Sequence, residues 1–463
     1  MITNLHFAAI FFTVIGNIIV EAEGTIGINW GRQNAQRLVP SMVVDVLLQN
    51  QVPAARVYST QEDVLEAFAW SGINLTVTIF DITKVSNEND SQAWVQNRIH
   101  WLDDASIRHV YLGNHAFIKG INNSTIQTMA VEAVRNLQAA LDDAGHGDIK
   151  VTLPSPIQIL KGNITKPSEA ELKDSIRDEF GRFLKLLQES GAHLAIELFP
   201  IDIMLWLGID DPSFAYADGR STHVVTDVHG AVYTNVFEFA HDAFAWAIEK
   251  AGAPDVEIVV SHIGWPTDGY SSASVANAER FYKTLLPLVT SGRGTPKRPG
   301  KPIKIFVHAL TDENKNPDTI PYGRHWGIYR SNGEPKYRID LTGQGRDIFP
   351  VNARGIMRMP QRWCMLDHEK AAGDRTKVQV QYEKACGPKG GDCTSLAPGG
   401  SCSSLDDMEK VSYAFNMNFQ SHFQDEGQCW YEGLGKVVTE DPSRGTCVFP
   451  VEVVKGQQDN FKN

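Results

Sequence analysis

The sequence predicts an α/β protein: a (β/α)8 TIM barrel followed by a small disulfide-rich domain. Three observations lead there. Eight short, nearly uninterrupted apolar runs alternate with longer amphipathic stretches. All six cysteines, Cys364, Cys386, Cys393, Cys402, Cys429 and Cys447, fall in the last hundred residues. The 463 residues are enough for one large domain and a smaller one.

The β-runs lie at 26–29, 55–58, 73–80, 107–113, 148–153, 193–199, 256–262 and 303–310. They are rich in Val, Ile, Thr and aromatics, as parallel strands buried on both faces require. Helical patterns separate them at 40–51, 124–144 and 233–252, the first opening on Pro40 at a position suited to a helix start. A closed parallel sheet leaves no exposed edge, so eight such units imply a barrel over 24–341. Residues 342–362 read as a connector. The segment 363–450 is rich in Gly, Cys and Ser and too short to bury much core, so disulfides supply its stability. A polar tail, 451–463, follows.

Residues 5–20 form an apolar run ahead of Glu21-Ala22-Glu23-Gly24, and 1–23 read as a secretory signal cut near Ala22; an N-terminal membrane anchor is the alternative. Sequons at Asn74, Asn89, Asn122, Asn123 and Asn163 fit a glycosylated secreted chain. An even cysteine set confined to one terminal segment indicates disulfides in an oxidising space; zinc competes weakly, since no CxxC pair is present. The secreted or cell-wall location follows. The polar C-terminus predicts no lipid anchor. A net charge of −12 without a basic tract argues against nucleic acid and anionic membranes, and suits a neutral polymer. A monomer without cofactor is expected.

Chemistry in such barrels collects where strands end on the C-terminal face. Those ends carry Gly113-Asn114-His115, Glu197 and Phe199, Ser261-His262-Ile263-Gly264-Trp265, and Asp312-Glu313. The runs Ile107–Asn114 (IRHVYLGN), Val259–Gly269 (VVSHIGWPTDG) and Arg324–Tyr337 (RHWGIYRSNGEPKY) resemble signature segments of glycoside hydrolase family 17, the plant glucan endo-1,3-β-glucosidases. The tail is similar to the X8 domain (carbohydrate-binding module family 43) at Trp363-Cys364, Ser412–Asn416 (SYAFN) and Asp441–Phe449 (DPSRGTCVF). The resemblance implies a retaining enzyme on a TIM barrel, a carbohydrate-binding tail, β-1,3-glucan as partner, and disulfides Cys364–Cys429, Cys386–Cys393 and Cys402–Cys447. It also implies sugar contacts at Asn114, Trp265, Phe199 and Glu197. Trp30, Tyr58 and Trp326 offer further aromatic faces.

The chemistry departs from that pattern. Retaining hydrolysis needs two carboxyl groups roughly 5 Å apart. In the family the acid/base Glu follows the Gly-Asn pair; here that residue is His115. The nucleophile Glu precedes the Gly-Trp-Pro turn; here it is His262. An imidazolium can donate a proton, but an imidazole carries no anion to form a glycosyl ester or stabilise an oxocarbenium-like transition state. Gly323 replaces an acidic residue before Arg324, and the lysine expected three residues beyond Glu313 is Asn316, with Lys315 one place early. Glu197 stands where the family commonly has Asn. Three readings follow: a β-1,3-glucan binder that does not hydrolyse; an endo-1,3-β-glucosidase using His115 with Glu313 or Glu197; and a metal site made of His115, His262 and Glu313.

Overall fold

The computed structural model describes residues 24–35, 37–113, 115–119, 123–317 and 320–455. The expected signal segment, the site residue Asn114 and the sequon Asn122 lie outside the described residues, as does the tail beyond 455.

Nine strands form one parallel sheet: β1 (Thr25–Trp30), β2 (Ala54–Val57), β3 (Asn74–Ile79), β4 (Ile107–Leu112), β5 (Lys150–Thr152), β6 (Pro154–Pro156), β7 (Leu194–Leu198), β8 (Ile258–Ile263) and β9 (Lys304–Val307). Their order is β5-β4-β3-β2-β1-β9-β8-β7-β6. The run expected at 148–153 extends to 156 and is divided at Leu153. Its first part pairs with β4 and its second with β7. One stave therefore changes partner, and the sheet curls into a nearly closed TIM-like barrel. β2, β7 and β8 are buried throughout, in keeping with sequences that are apolar apart from Arg56, Glu197, Ser261 and His262.

Helix boundaries follow local chemistry. Pro40 opens Pro40–Gln49, where its missing N–H has no intrahelical partner to lose. The Asn123 side chain accepts from the amides of Thr125 and Ile126 to start Ser124–Asp143. Asn235 and Ser274 cap Val236–Lys250 and Val275–Thr290 in the same manner. The amphipathic helix Arg177–Ser190 stops at Gly191, whose left-handed backbone ends the turn. It buries Phe180 and Phe183 against Phe117, centroids 4.8 and 5.8 Å away. Each such ring contributes roughly 1.5–3 kcal/mol by leaving water. Phe117 thereby anchors the short helix Ala116–Lys119 directly behind His115. Among the described residues no helix is long and apolar enough to cross a membrane.

The C-terminal domain is held by disulfides Cys364–Cys429, Cys386–Cys393 and Cys402–Cys447. Strand Trp363–Leu366 pairs antiparallel with Gly435–Val438, over helix Asp407–Ser421. That helix carries the SYAFN motif, whose role is structural. Asn416 accepts from the Cys364 amide and donates to the Pro450 carbonyl, Ser412 accepts from the Leu366 amide, and Phe415 stacks on Tyr431 at 3.6 Å. The connector is tied down: Asn50 accepts from the Val351 amide, and Ile356–Arg358 pairs with Val453–Lys455.

Candidate functional site

The C-terminal ends of the strands open into a cleft with two lobes that share His262, His308 and Asn316. One lobe, of 310 Å³, is lined by Trp30, Arg32, Tyr58, Phe80 and Glu313. The other, of 410 Å³, is lined by His115, Glu197, Phe199, Ile320 and Trp326.

Glu197 and His262 meet because β7 and β8 place them side by side, in parallel register. His115 reaches the same point from the end of β4, held at φ +56° by the turn into its short helix. The Glu197 carboxylate lies between the two imidazoles: Oε2 is 2.5 Å from His115 Nε2, and Oε1 is 3.0 Å from His262 Nδ1. His115 and His262 thus face one another across a single carboxylate, which is 5% exposed as a residue.

His262 is held on its other side as well. The Tyr58 hydroxyl is 2.7 Å from Nε2, and Arg56 Nη1 lies 3.0 Å from each ring nitrogen. The arrangement assigns a neutral ring whose Nδ1–H donates to Glu197 and whose Nε2 accepts from Tyr58. Burial and the Arg56 cation hold its pKa down to about 4, against the attraction of Glu197. At His115, burial lowers the pKa, but the charge and hydrogen bond of Glu197 outweigh it and the net shift is upward. Burial would raise Glu197, yet the two histidines and their hydrogen bonds hold it well below the usual carboxylate range. Between pH 4.5 and 6.5 these directions make the centre a His115 imidazolium, a Glu197 carboxylate and a neutral His262.

Arg56 was not anticipated from the sequence. It is buried within β2, donates to Thr78 and lies over the rings of Tyr58 and Tyr111. A cation inside an otherwise apolar β-run is the signal that marks it. His308, just past β9, packs edge-on against Phe199 and lies 5.3 Å from the His262 ring. Phe80, half exposed and stacked on Tyr58 at 5.7 Å, is the most accessible aromatic of the cleft.

Glu313 sits apart from the histidine pair. It accepts from the Gln33 amide at 2.8 Å, and burial raises its pKa. Gly31 makes room for it: a Cβ there would fall 2.1 Å from the carboxylate. Phe199 lines the cleft and packs on Trp326. Trp265 does not line it. The residue is 3% exposed, its indole N–H donates to the Ser272 carbonyl, and its ring stacks on Tyr216. Glu197 likewise spends both oxygens on the imidazoles rather than presenting them to a ligand. Among the described residues no group of His, Cys, Asp and Glu is arranged to hold a metal ion, and Glu313 makes no third arm to the two histidines.

A family model described as glycosyl hydrolases family 17 matches residues 26–341, and an X8 domain model matches 362–436. The chain is 34% identical over 460 residues to "Glucan endo-1,3-beta-glucosidase 8" of Arabidopsis thaliana, covering 97% of this chain and 94% of that protein. It is 31% identical to "Glucan endo-1,3-beta-glucosidase 5" of the same plant, covering 96% and 92%. Among solved structures, the fold is similar to "CJP38, a beta-1,3-glucanase and allergen of Cryptomeria japonica pollen", with a TM-score of 0.64 and 28% identity over 69% of this chain and 99% of that one. With a barrel of this family's kind, a matching model over most of its length and an X8 domain behind it, the chain belongs to glycosyl hydrolases family 17.

Proposed function

We propose that the chain is a secreted cell-wall protein that binds β-1,3-glucan without hydrolysing it. The observation that carries this reading is Glu197 gripping both histidines. At the position where a retaining enzyme needs an attacking carboxylate, His262 has its Nδ1–H on Glu197 and its Nε2 on Tyr58. No lone pair is free to attack. At the acid/base position, His115 can hold a proton, but its imidazolium is paired with the same carboxylate. Glu197 cannot serve as a nucleophile without releasing both rings.

Binding is supported by what remains. Tyr58, Phe80 and Phe199 present aromatic faces to the cleft, on which sugar C–H groups stack favourably. The names of the relatives point to β-1,3-glucan as their substrate, and the X8 domain supplies a second carbohydrate-binding element. The test is a paired assay on the purified full chain with laminarin. The expected result is measurable affinity with no release of reducing sugar above background at about pH 5–7. Robust hydrolysis abolished by Glu313→Gln would overturn this reading in favour of an active endo-1,3-β-glucosidase. Absence of any laminarin binding would remove the glucan partner altogether.

A further inference from the structure

Residues 312–317 and 320–326 have two working sides. Toward the cleft they present Glu313, Asn316, Gly323 and Trp326. Away from it, the same residues grip the C-terminal domain. Lys315 Nζ donates to the Gly390 carbonyl at 2.6 Å, Arg324 pairs with Asp392 at 3.1 Å, and His325 Nε2 lies 2.6 Å from the Thr394 hydroxyl. A second clamp lies beside it. The amide and hydroxyl of Ser401 donate to the two oxygens of Asp268, at 2.7 and 2.6 Å. Gly399 sits so close to the barrel that a Cβ there would fall 2.5 Å from the Ser271 amide nitrogen.

The two sides are mechanically joined. Arg324 Nε donates to the Asn316 carbonyl, the Glu313 amide donates to the Arg324 carbonyl, and the Asn316 amide donates to the Glu313 carbonyl. Whatever holds Arg324 therefore holds the backbone that carries Glu313 and Asn316. Asp392 is buried, and it is committed: besides Arg324 it accepts from the amide and hydroxyl of Thr394. A buried, multiply bonded carboxylate against a guanidinium is a defined attachment rather than a surface encounter.

Two of the sequence's departures from the family pattern fall on this seam. The lysine that the family resemblance places in the cleft stands one residue early, at 315, and reaches outward to the C-terminal domain. Gly323 leaves Arg324 without an acidic neighbour in sequence, and Asp392 of the other domain supplies the carboxylate. We propose that the C-terminal domain acts as a fixed buttress of the cleft wall, with Arg324, Lys315 and Asp392 as positioning residues, so that the barrel's hold on glucan depends on the domain being docked. The glucan part rests on the function proposed above; the mechanical part does not.

The experiment follows amide hydrogen exchange in the full chain and in Asp392→Ala, a change made outside the cleft. The expected result is that the amides of Glu313, Asn316 and Gly323 exchange at least about 10-fold faster, while those of β2 and β7 are unchanged. Asp392→Asn keeps an acceptor for Thr394 and loses the ion pair, so it should give an intermediate increase. It also serves as the second variant if Asp392→Ala disturbs the domain. Affinity for a linear β-1,3-gluco-oligosaccharide should fall about 5- to 10-fold in parallel, and the Arg324→Ala, Asp392→Ala double variant should lose no more than either single one. Unchanged exchange at Glu313, Asn316 and Gly323 in both Asp392 variants overturns the proposal. Faster exchange in a protein that binds no glucan would support the buttress and overturn the functional reading instead.

Discussion

Glu197→Gln tests the histidine–carboxylate–histidine centre most directly, because it keeps the shape and removes the charge. Two contacts change, at 2.5 Å to His115 and 3.0 Å to His262. Hydrogen bonds to a charged group are each worth about 1.5–3 kcal/mol, and removing one partner of a buried pair costs about 3–5 kcal/mol. The carboxylate side chain is 4% exposed but that of His115 is 35% exposed, so solvent screening brings the expected loss to the lower end, about 3 kcal/mol. The loss should depend on pH in a specific direction. His115 is raised above 6.5, so its contribution is complete below that value and fades as pH climbs through its folded pKa. Glu197 is held below 4.5, so its contribution is present above that value and fades as pH falls toward its folded pKa. His262, held near 4, stays neutral throughout the window between. The stability gap between parent and variant should therefore be widest between pH 4.5 and 6.5 and narrow on both sides. Urea unfolding across pH, read beside the imidazole resonances of His115, measures it. A gap that stays flat with pH, together with an unmoved His115 titration, would refute the assignment of charge to this centre.

Glu452, 5% exposed at the domain seam, is pushed up to about 7 by burial, with Lys315 opposing. Being raised, its stabilising share is complete below 4.5 and is lost as pH rises to 7, so Glu452→Gln should flatten that slope. The variant should be up to about 3 kcal/mol more stable above pH 7 in the same unfolding series. Replacing Cys364 and Cys429 by Ser opens a bridge 65 residues apart in sequence and should destabilise the C-terminal domain by about 4 kcal/mol, against about 2.5 kcal/mol for Cys386 and Cys393, 7 apart, as read by calorimetry.

Much of the fold was legible because strands buried on both faces need nearly continuous apolar runs, and eight of them recur along the barrel. The partner change at Leu153 was not, since a stave that pairs with β4 and then with β7 has no distinct sequence pattern. His115 and His262 were legible as a facing pair because both follow strands that end on one face of the barrel. Glu197 was legible as a cleft residue but not as the bridge between the histidines. Its position at a strand end is visible in sequence, whereas the register that sets it beside His262 belongs to the sheet. Trp265 was placed at the cleft by its motif alone. The turn after β8 carries the ring back into the core against Tyr216 and Phe281, an orientation fixed by packing. Arg56 is hidden in sequence because its neighbours make the run a strand whether or not a cation interrupts it. Lys315 and Gly323 were legible as departures but not as parts of a clamp between the two domains, since Lys315 and Gly390, like Asp268 and Ser401, are joined only by the final packing.

If the chain is non-hydrolytic as proposed, gaining hydrolysis takes three substitutions rather than two, and the geometry says why. His115→Glu with His262→Glu would bring two carboxylates against Glu197, which already lies within hydrogen-bond distance of both positions. Three like charges in one buried site cannot all ionise, so protons would be retained where a nucleophile must be anionic. Glu197→Asn, the residue type that the family resemblance implies there, removes the surplus charge. With it, Arg56 and Tyr58, which lie within 3.0 Å of the His262 ring, are placed to keep a carboxylate at 262 ionised and oriented. The carboxylate at 115 would lose its ionic neighbour and could hold the proton that the leaving oxygen needs. The acting pair works as a unit, so the effects should be far from additive. Single reversions should release no reducing sugar from laminarin, and the double variant little. The triple variant should exceed background by at least about 10²-fold, the lower range of general acid catalysis. A triple variant that folds and binds laminarin yet stays silent would refute the assignment of the missing step to the two histidines and turn attention to Asn316 and Gly323, where the family resemblance implies charged partners.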